Sequence, residues 1–172
     1  VKAELDLETL NPIFSQKNQL VLRTDSGCET GQLFGDLTCD CGEQLMLAMQ
    51  TIAEIGEGMI ISIPSQDGRG MGLTFKLATL WIQDVLKVHT IESAGLLAPD
   101  GVIDIRTYSG VICILKFFEV LPSCIISLVT NNPDKLCVFD ENNYTIAKDL
   151  VPIVIESTKH TACHLEAKEK YL

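Results

Sequence analysis

The chain has 172 residues, 47% of them hydrophobic and 21% charged, enough to bury a sizeable core and too apolar for intrinsic disorder. Its 13 basic and 23 acidic residues give a net charge of −10, which excludes a nucleic-acid coat or an anionic membrane surface as the main partner. No apolar run reaches the roughly 18 residues that cross a bilayer. The first ten residues carry acids where a signal peptide needs a basic end. Valine opens the sequence, as in a processed form or a fragment. Seven cysteines, odd in number and unevenly spread, do not form a secreted disulfide framework and point to a reducing cytoplasm.

Residues 19–24 (QLVLRT) read as a strand entering a turn at Asp25-Ser26-Gly27. Residues 42–56 read as a helix, with Leu45, Ala48, Met49, Ile52 and Ile55 near helical spacing and Gly56 and Gly58 ending it. Residues 59–63 form a short apolar run, a buried strand, and 66–72 (QDGRGMG) form a glycine-rich loop. A helix over 73–86 carries the only tryptophan, Trp81; a short strand is expected at 89–92 and an irregular stretch at 96–105, turning at Pro99-Asp100-Gly101. Residues 109–121 have helix length, 124–130 (CIISLVT) read as a second buried strand, and Asn131-Asn132-Pro133 opens a short helix. Strands alternating with helices predict an α/β fold with a mixed, largely parallel sheet flanked by helices. One domain spans 1–172, with a polar C-terminal tail from about 156. Ligands in such sheets bind where strand ends meet loops.

Cys28-x10-Cys39-x-Cys41 is the sharpest local signal. Three thiolates suit zinc and leave a fourth position for water or substrate, a catalytic type of site. The competing reading is three reduced cysteines without metal; Gly27, Gly31, Gly35 and Gly42 favour turns that converge the side chains. Only three arginines occur, Arg23, Arg69 and Arg106, each in or beside a candidate ligand loop. They suit phosphate or carboxylate recognition, against the plainer reading of solvated charges. Lys135 could join them at the start of a helix, and a magnesium ion would bridge bound phosphates.

The segments RTDSGCETGQLFGDLTCDCGEQL (23–45), SQDGRGMGLTFKLATLWIQD (65–84), HTIESAG (89–95), DIRTYS (104–109), VTNNPDK (129–135) and CHLEAKEKYL (163–172) together resemble GTP cyclohydrolase II, an enzyme of riboflavin biosynthesis. The resemblance implies zinc on Cys28, Cys39 and Cys41, hydrolysis of the guanine imidazole ring at C8 with release of formate, and expulsion of pyrophosphate. It implies that Arg106 attacks the α-phosphorus and that Asp104 accepts a proton. It assigns guanine and phosphate contacts to Arg23, Asp25, Gln44, Asp67, Gly68, Arg69, Thr90, Thr130 and Lys135, with Mg²⁺ on the triphosphate. A homodimer is implied, as is the family's frequent fusion behind a dihydroxybutanone phosphate synthase.

The sequence departs from the family pattern at named positions. Leu80 stands where the family has a tyrosine, and a leucine has no hydroxyl to position water. Asp25 replaces a histidine, Gly27 a glutamate, Asp67 a glutamate, and Ala78 a basic residue. Three functions follow: GTP ring opening with pyrophosphate release, with or without loss of the formyl group; a paralogue acting on another nucleotide or base, as in uracil catabolism; or a non-catalytic nucleotide-binding relative. Retention of Arg106, Asp104 and Lys135 argues against the last. His160 and His164 read as a surface pair, Cys113, Cys124 and Cys137 as buried small apolar residues, and Ile112, Leu115, Phe118 and Val120 as core or dimer contact.

Overall fold

The computed structural model describes residues 1–15, 19–130, 135–148, 151, 153, 155–162 and 165–166. The helix expected at Asn131-Asn132-Pro133, together with Cys163, His164 and the end of the tail, lies outside them. The strands are β1 (Glu4–Leu5), β2 (Pro12–Ile13), β3 (Gln19–Asp25), β4 (Gly58–Ser62), β5 (Ile125–Leu128) and β6 (Thr145–Ile146). The helices are α1 (Glu29–Gln32), α2 (Cys41–Ile55), α3 (Gly72–Leu86), α4 (Thr90–Leu97), α5 (Ser109–Phe117) and α6 (Cys137–Asp140). The chain divides into two compact units, one of Val1–Asp25, Gln44–Ser62 and Tyr108–Val154, the other of Ser26–Glu43, Ile63–Thr107 and Ile155–Leu172.

The first unit holds a four-stranded sheet in the order β4-β3-β5-β6, every neighbouring pair parallel. Central β3 is buried along its length after Gln19, the continuous burial of a parallel strand covered on both faces. Leu22 pairs in register with Met59 of β4 and Leu128 of β5, and all three are almost fully buried. Ile52 of α2 fills the space over Gly58, where an added Cβ would stand 2.9 Å from its Cγ2. Helix α5 buries Val111, Ile112 and Leu115, and Tyr144 donates its hydroxyl to the Val120 carbonyl at 2.9 Å. A separate antiparallel pair joins β1 to β2.

The second unit is built differently. Among its described residues the buried side chains are polar or small: Cys28, Thr30, Asp40, Gln66, Asp67, Thr79, Ser93, Ala94 and Thr161. Helix α3 packs against α4 and against the glycine loop that precedes it.

Most predicted elements are present, with α2 and α3 within a residue or two of expectation. The strand expected at 89–92 is instead the start of α4, with extended His89 as its N-cap; this helix buries Ser93 and Ala94 and packs against α3. Helix α5 stops at Phe117, because Glu119 turns in the left-handed region (φ 56°) and breaks the helical path. Cys124 is buried as expected, but Cys113 and Cys137 are exposed. Cys113 lies on the side of α5 away from its buried face. Strands β1, β2 and β6 have two residues each, too few for a periodicity to register. Truncating Leu22 to alanine removes a wholly buried side chain from the central strand; chemical unfolding should show a loss of about 2–5 kcal/mol.

Candidate active site

Three thiols meet in the second unit. Cys28 is the N-cap of α1, Cys39 lies in the following turn, and Cys41 is the first residue of α2. Their Sγ atoms all lie within 4.8 Å of one another, with Cys28 and Cys39 at 3.7 Å. Ligands at about 2.3 Å from a tetrahedral zinc stand about 3.8 Å apart, so these donors are spaced for one ion. Gly31 makes the convergence feasible: a Cβ there would fall 2.7 Å from Cys39 Sγ and 3.2 Å from Cys28 Sγ. The donor set and the cradle fit zinc.

The protonation of the cluster is uneven. Hydrogen bonds from Cys39 and then Cys41 hold Cys28 far below the ordinary thiol range, with Lys76 adding to the effect against the cost of burial. Cys39 is pushed up by its bond to Cys28, and Cys41 is pushed well up by its bonds to Cys28 and Cys39 and by burial. Charge is thus favoured on Cys28 over Cys39 and Cys41, and a cation among the three sulfurs would favour the thiolate form of all of them.

Lys76 on α3 was not among the residues singled out from the sequence. Its Nζ lies 2.6 Å from Cys28 Sγ and 3.3 Å from Asp67 Oδ1. Burial alone would lower its pKa, but the Cys28 thiolate and Asp67 outweigh that and raise it. The available signal was its place as the sole basic residue of the helix just after the glycine loop. Asp67 is buried and turned to internal partners: the Glu29 amide at 3.2 Å, the Gly68 amide at 2.8 Å and Lys76. Gly27, where the resemblance implies glutamate, adopts φ 63°, and an added Cβ would fall 2.5 Å from Pro64 Cα; this backbone has no room for a carboxylate side chain.

The same unit brings together Arg69, Asp104 and Arg106. Asp104 accepts Arg106 Nε at 2.9 and 3.1 Å, Nη2 at 2.5 Å and the Arg106 amide at 3.1 Å. Arg69, held at φ 60° between Gly68 and Gly70, places Nη1 3.9 Å from the same carboxylate, and its carbonyl accepts the Ile105 amide at 3.0 Å. Burial opposes ionisation of Asp104, but the Arg106 hydrogen bonds outweigh it and lower its pKa. The pair is therefore intact above the usual carboxylate range and is lost as pH falls through that lowered value. Thr90 opens α4, where its carbonyl accepts the Ser93 hydroxyl at 3.1 Å.

A second group stands in the first unit at the carboxyl ends of β3 and β5. Arg23 is buried and donates to the Val129 carbonyl at 3.2 Å and to Gln44 Oε1 at 3.1 Å, with Asp25 Oδ1 at 3.6 Å. Buried Lys135 donates to the Thr24 carbonyl at 2.7 Å and lies 5.7 Å from the Tyr108 ring centroid. Buried Thr130 follows β5. These positions are where parallel sheets present ligand-binding loops.

The GTP cyclohydrolase II profile matches residues 5–150. The chain is 34% identical to a GTP cyclohydrolase-2 of Picrophilus torridus over 154 residues, 90% of this chain and 76% of that protein. It belongs to the GTP cyclohydrolase II family. A GTP cyclohydrolase-2 of Shewanella denitrificans is 34% identical over 87% of this chain and 69% of its own length. The riboflavin biosynthesis protein RibBA of Endomicrobium trichonymphae is 32% identical over 92% of this chain but only 37% of its own length. The family is one of enzymes, in keeping with a site of convergent thiols, paired arginines and a carboxylate. Among the described residues no helix is long and apolar enough to cross a membrane.

Replacing Gly31 by alanine puts a methyl group between Cys28 and Cys39. Uptake of Co²⁺ by the purified variant, read from its visible absorption, should fall at least about tenfold in affinity.

Proposed function

We propose that this chain hydrolyses GTP, opening the imidazole ring at C8 and releasing pyrophosphate. The observation that carries the reading is the convergence of Cys28, Cys39 and Cys41 around the Gly31 cradle. These three thiolates would hold zinc, which when bound supplies Lewis-acid activation of water at neutral pH. Mg²⁺ would enter with the triphosphate, held chiefly by phosphate oxygens.

The Asp104–Arg106 pair supports the phosphate half of the reaction. Two parallel bonds orient the guanidinium, which is otherwise a poor nucleophile because it stays protonated. When Arg106 attacks the α-phosphorus, an N–P bond forms and the bond to the pyrophosphate oxygen breaks, the pyrophosphate taking the electron pair. The nitrogen grows more acidic as it bonds phosphorus, and its proton passes to Asp104, already in contact. Water then attacks the phosphorus, the N–P bond breaks with its electron pair returning to the nitrogen, and Asp104 gives the proton back, freeing the nucleoside monophosphate and restoring the Arg106 guanidinium. Arg69 and Lys135 supply charge for the phosphates; Arg23, Asp25, Gln44, Asp67, Gly68, Thr90 and Thr130 complete the nucleotide contacts. Since the Asp67 carboxylate is occupied internally, its part is to shape the loop backbone that meets the ligand.

A second outcome for the base is favoured by Leu80. Lys76 and Leu80 are one helical turn apart and share a face of α3, the face that reaches Cys28 through Lys76. Trp81 is 67% exposed on another side and does not substitute for the missing hydroxyl. Ring opening that stops with the formyl group retained follows from that loss. The reading also includes a homodimer, supported by the exposed apolar stripe Leu77, Trp81 and Val85 on α3, a cytoplasmic setting, and the whole chain acting as one domain.

Mass spectrometry of the products from GTP with Zn²⁺ and Mg²⁺, with UTP and uracil in parallel, tests the reading. Pyrophosphate and a ring-opened guanosine monophosphate derivative are expected; GTP recovered unchanged overturns it. Arg106→Ala should reduce pyrophosphate release at least about a hundredfold while bound zinc, measured by elemental analysis, stays at the wild-type level. Leu80→Tyr should raise the fraction of product that has lost formate.

A further inference from the structure

We propose that Lys76 is a positioning residue of the metal centre, anchoring the Cys28 ligand and tuning its electron donation while tying it to the glycine loop through Asp67. The proposal rests on the zinc reading above. Its starting point is a closed set of contacts around one ligand. Lys76 Nζ approaches Cys28 Sγ at 2.6 Å and Asp67 Oδ1 at 3.3 Å. Asp67 Oδ2 accepts the amide of Glu29, the residue after Cys28, at 3.2 Å, and Oδ1 accepts the Gly68 amide at 2.8 Å. Cys28 is therefore clamped at its sulfur by Lys76 and at the next peptide by the carboxylate that Lys76 holds. The Lys76 and Asp67 side chains are 16% and 5% exposed, so little solvent screens the arrangement.

The chemistry of the donor set gives the ammonium a purpose. Three thiolates around a divalent ion leave one net negative charge, which burial makes costly. A neighbouring ammonium offsets it. Its N–H bond to one sulfur also withdraws electron density from that ligand, leaving the ion a stronger Lewis acid. Cys28 alone receives this bond among the contacts of Lys76, so the three ligands are inequivalent by construction.

The test is Co²⁺ binding to the full chain, with wild type, Lys76→Met and Lys76→Arg compared. Lys76→Met should lose about 10–100-fold in Co²⁺ affinity and shift the sulfur-to-cobalt charge-transfer band to lower energy, because the thiolate regains its electron density. Lys76→Arg keeps a cationic donor and should restore much of both. Wild-type affinity and an unmoved band in Lys76→Met overturn the proposal, as does a loss of affinity with an unmoved band, the mark of a packing role alone. If Lys76→Met does not fold, Asp67→Asn weakens the hold on Lys76, and an unchanged affinity and band there overturn the proposal equally. Failure of the wild-type chain to take up Co²⁺ overturns the zinc reading, and this proposal with it.

Discussion

Three sulfurs within 4.8 Å of one another cannot all carry charge unless a cation stands among them. Much of the second unit is arranged around that constraint. Its described interior is polar or small, so burial of apolar surface contributes little to holding the cysteine-bearing turns in place. Hydrogen bonds and charge take over: Asp67 ties the turn after Cys28 to the glycine loop, and Lys76 ties both to α3. The first unit differs in its core. There a parallel sheet buries Leu20, Leu22, Met59, Ile126 and Leu128, and hydrogen bonds to the Val129 and Thr24 carbonyls hold Arg23 and Lys135.

Arginine is scarce in this acidic chain, and two of its three copies stand around a single carboxylate. Asp104 is lowered in pKa by that company and orients the Arg106 guanidinium in the free protein; the proposed reaction would have it accept a proton once Arg106 bonds elsewhere. The backbone enforces the arrangement, since Arg69 occupies a left-handed conformation and its carbonyl accepts the Ile105 amide. Such strain at a non-glycine residue is the kind that persists where a site requires it.

The departures from the family pattern divide by physical cause. Glycine at 27 follows from a backbone that passes too close to Pro64 for any side chain. Asp25 is buried beside Arg23, an acid with a salt-bridge partner where the resemblance implies histidine. Leucine at 80 has no such account in the contacts around it, and it alters the chemistry available on the face of α3 that carries Lys76.

Local signals were enough for β3, β4, β5, α2, α3 and the cysteine, arginine and glycine-loop motifs, because periodicity and residue type act over a few residues. They failed at 89–92, where a four-residue window cannot separate a strand from the start of a helix that packs against α3. They failed also at Cys113 and Cys137, whose exposure depends on which helix face meets the core. The sequence by itself determined the family, the parallel α/β pattern and the identity of the thiols and arginines. Only the tertiary structure decided that Lys76 reaches Cys28, that Asp67 is spent on internal bonds and that Gly31 is the floor of the cluster. Those facts join residues 28 to 76 and 31 to 39, and no local pattern carries a distance between side chains that meet only after the chain has folded.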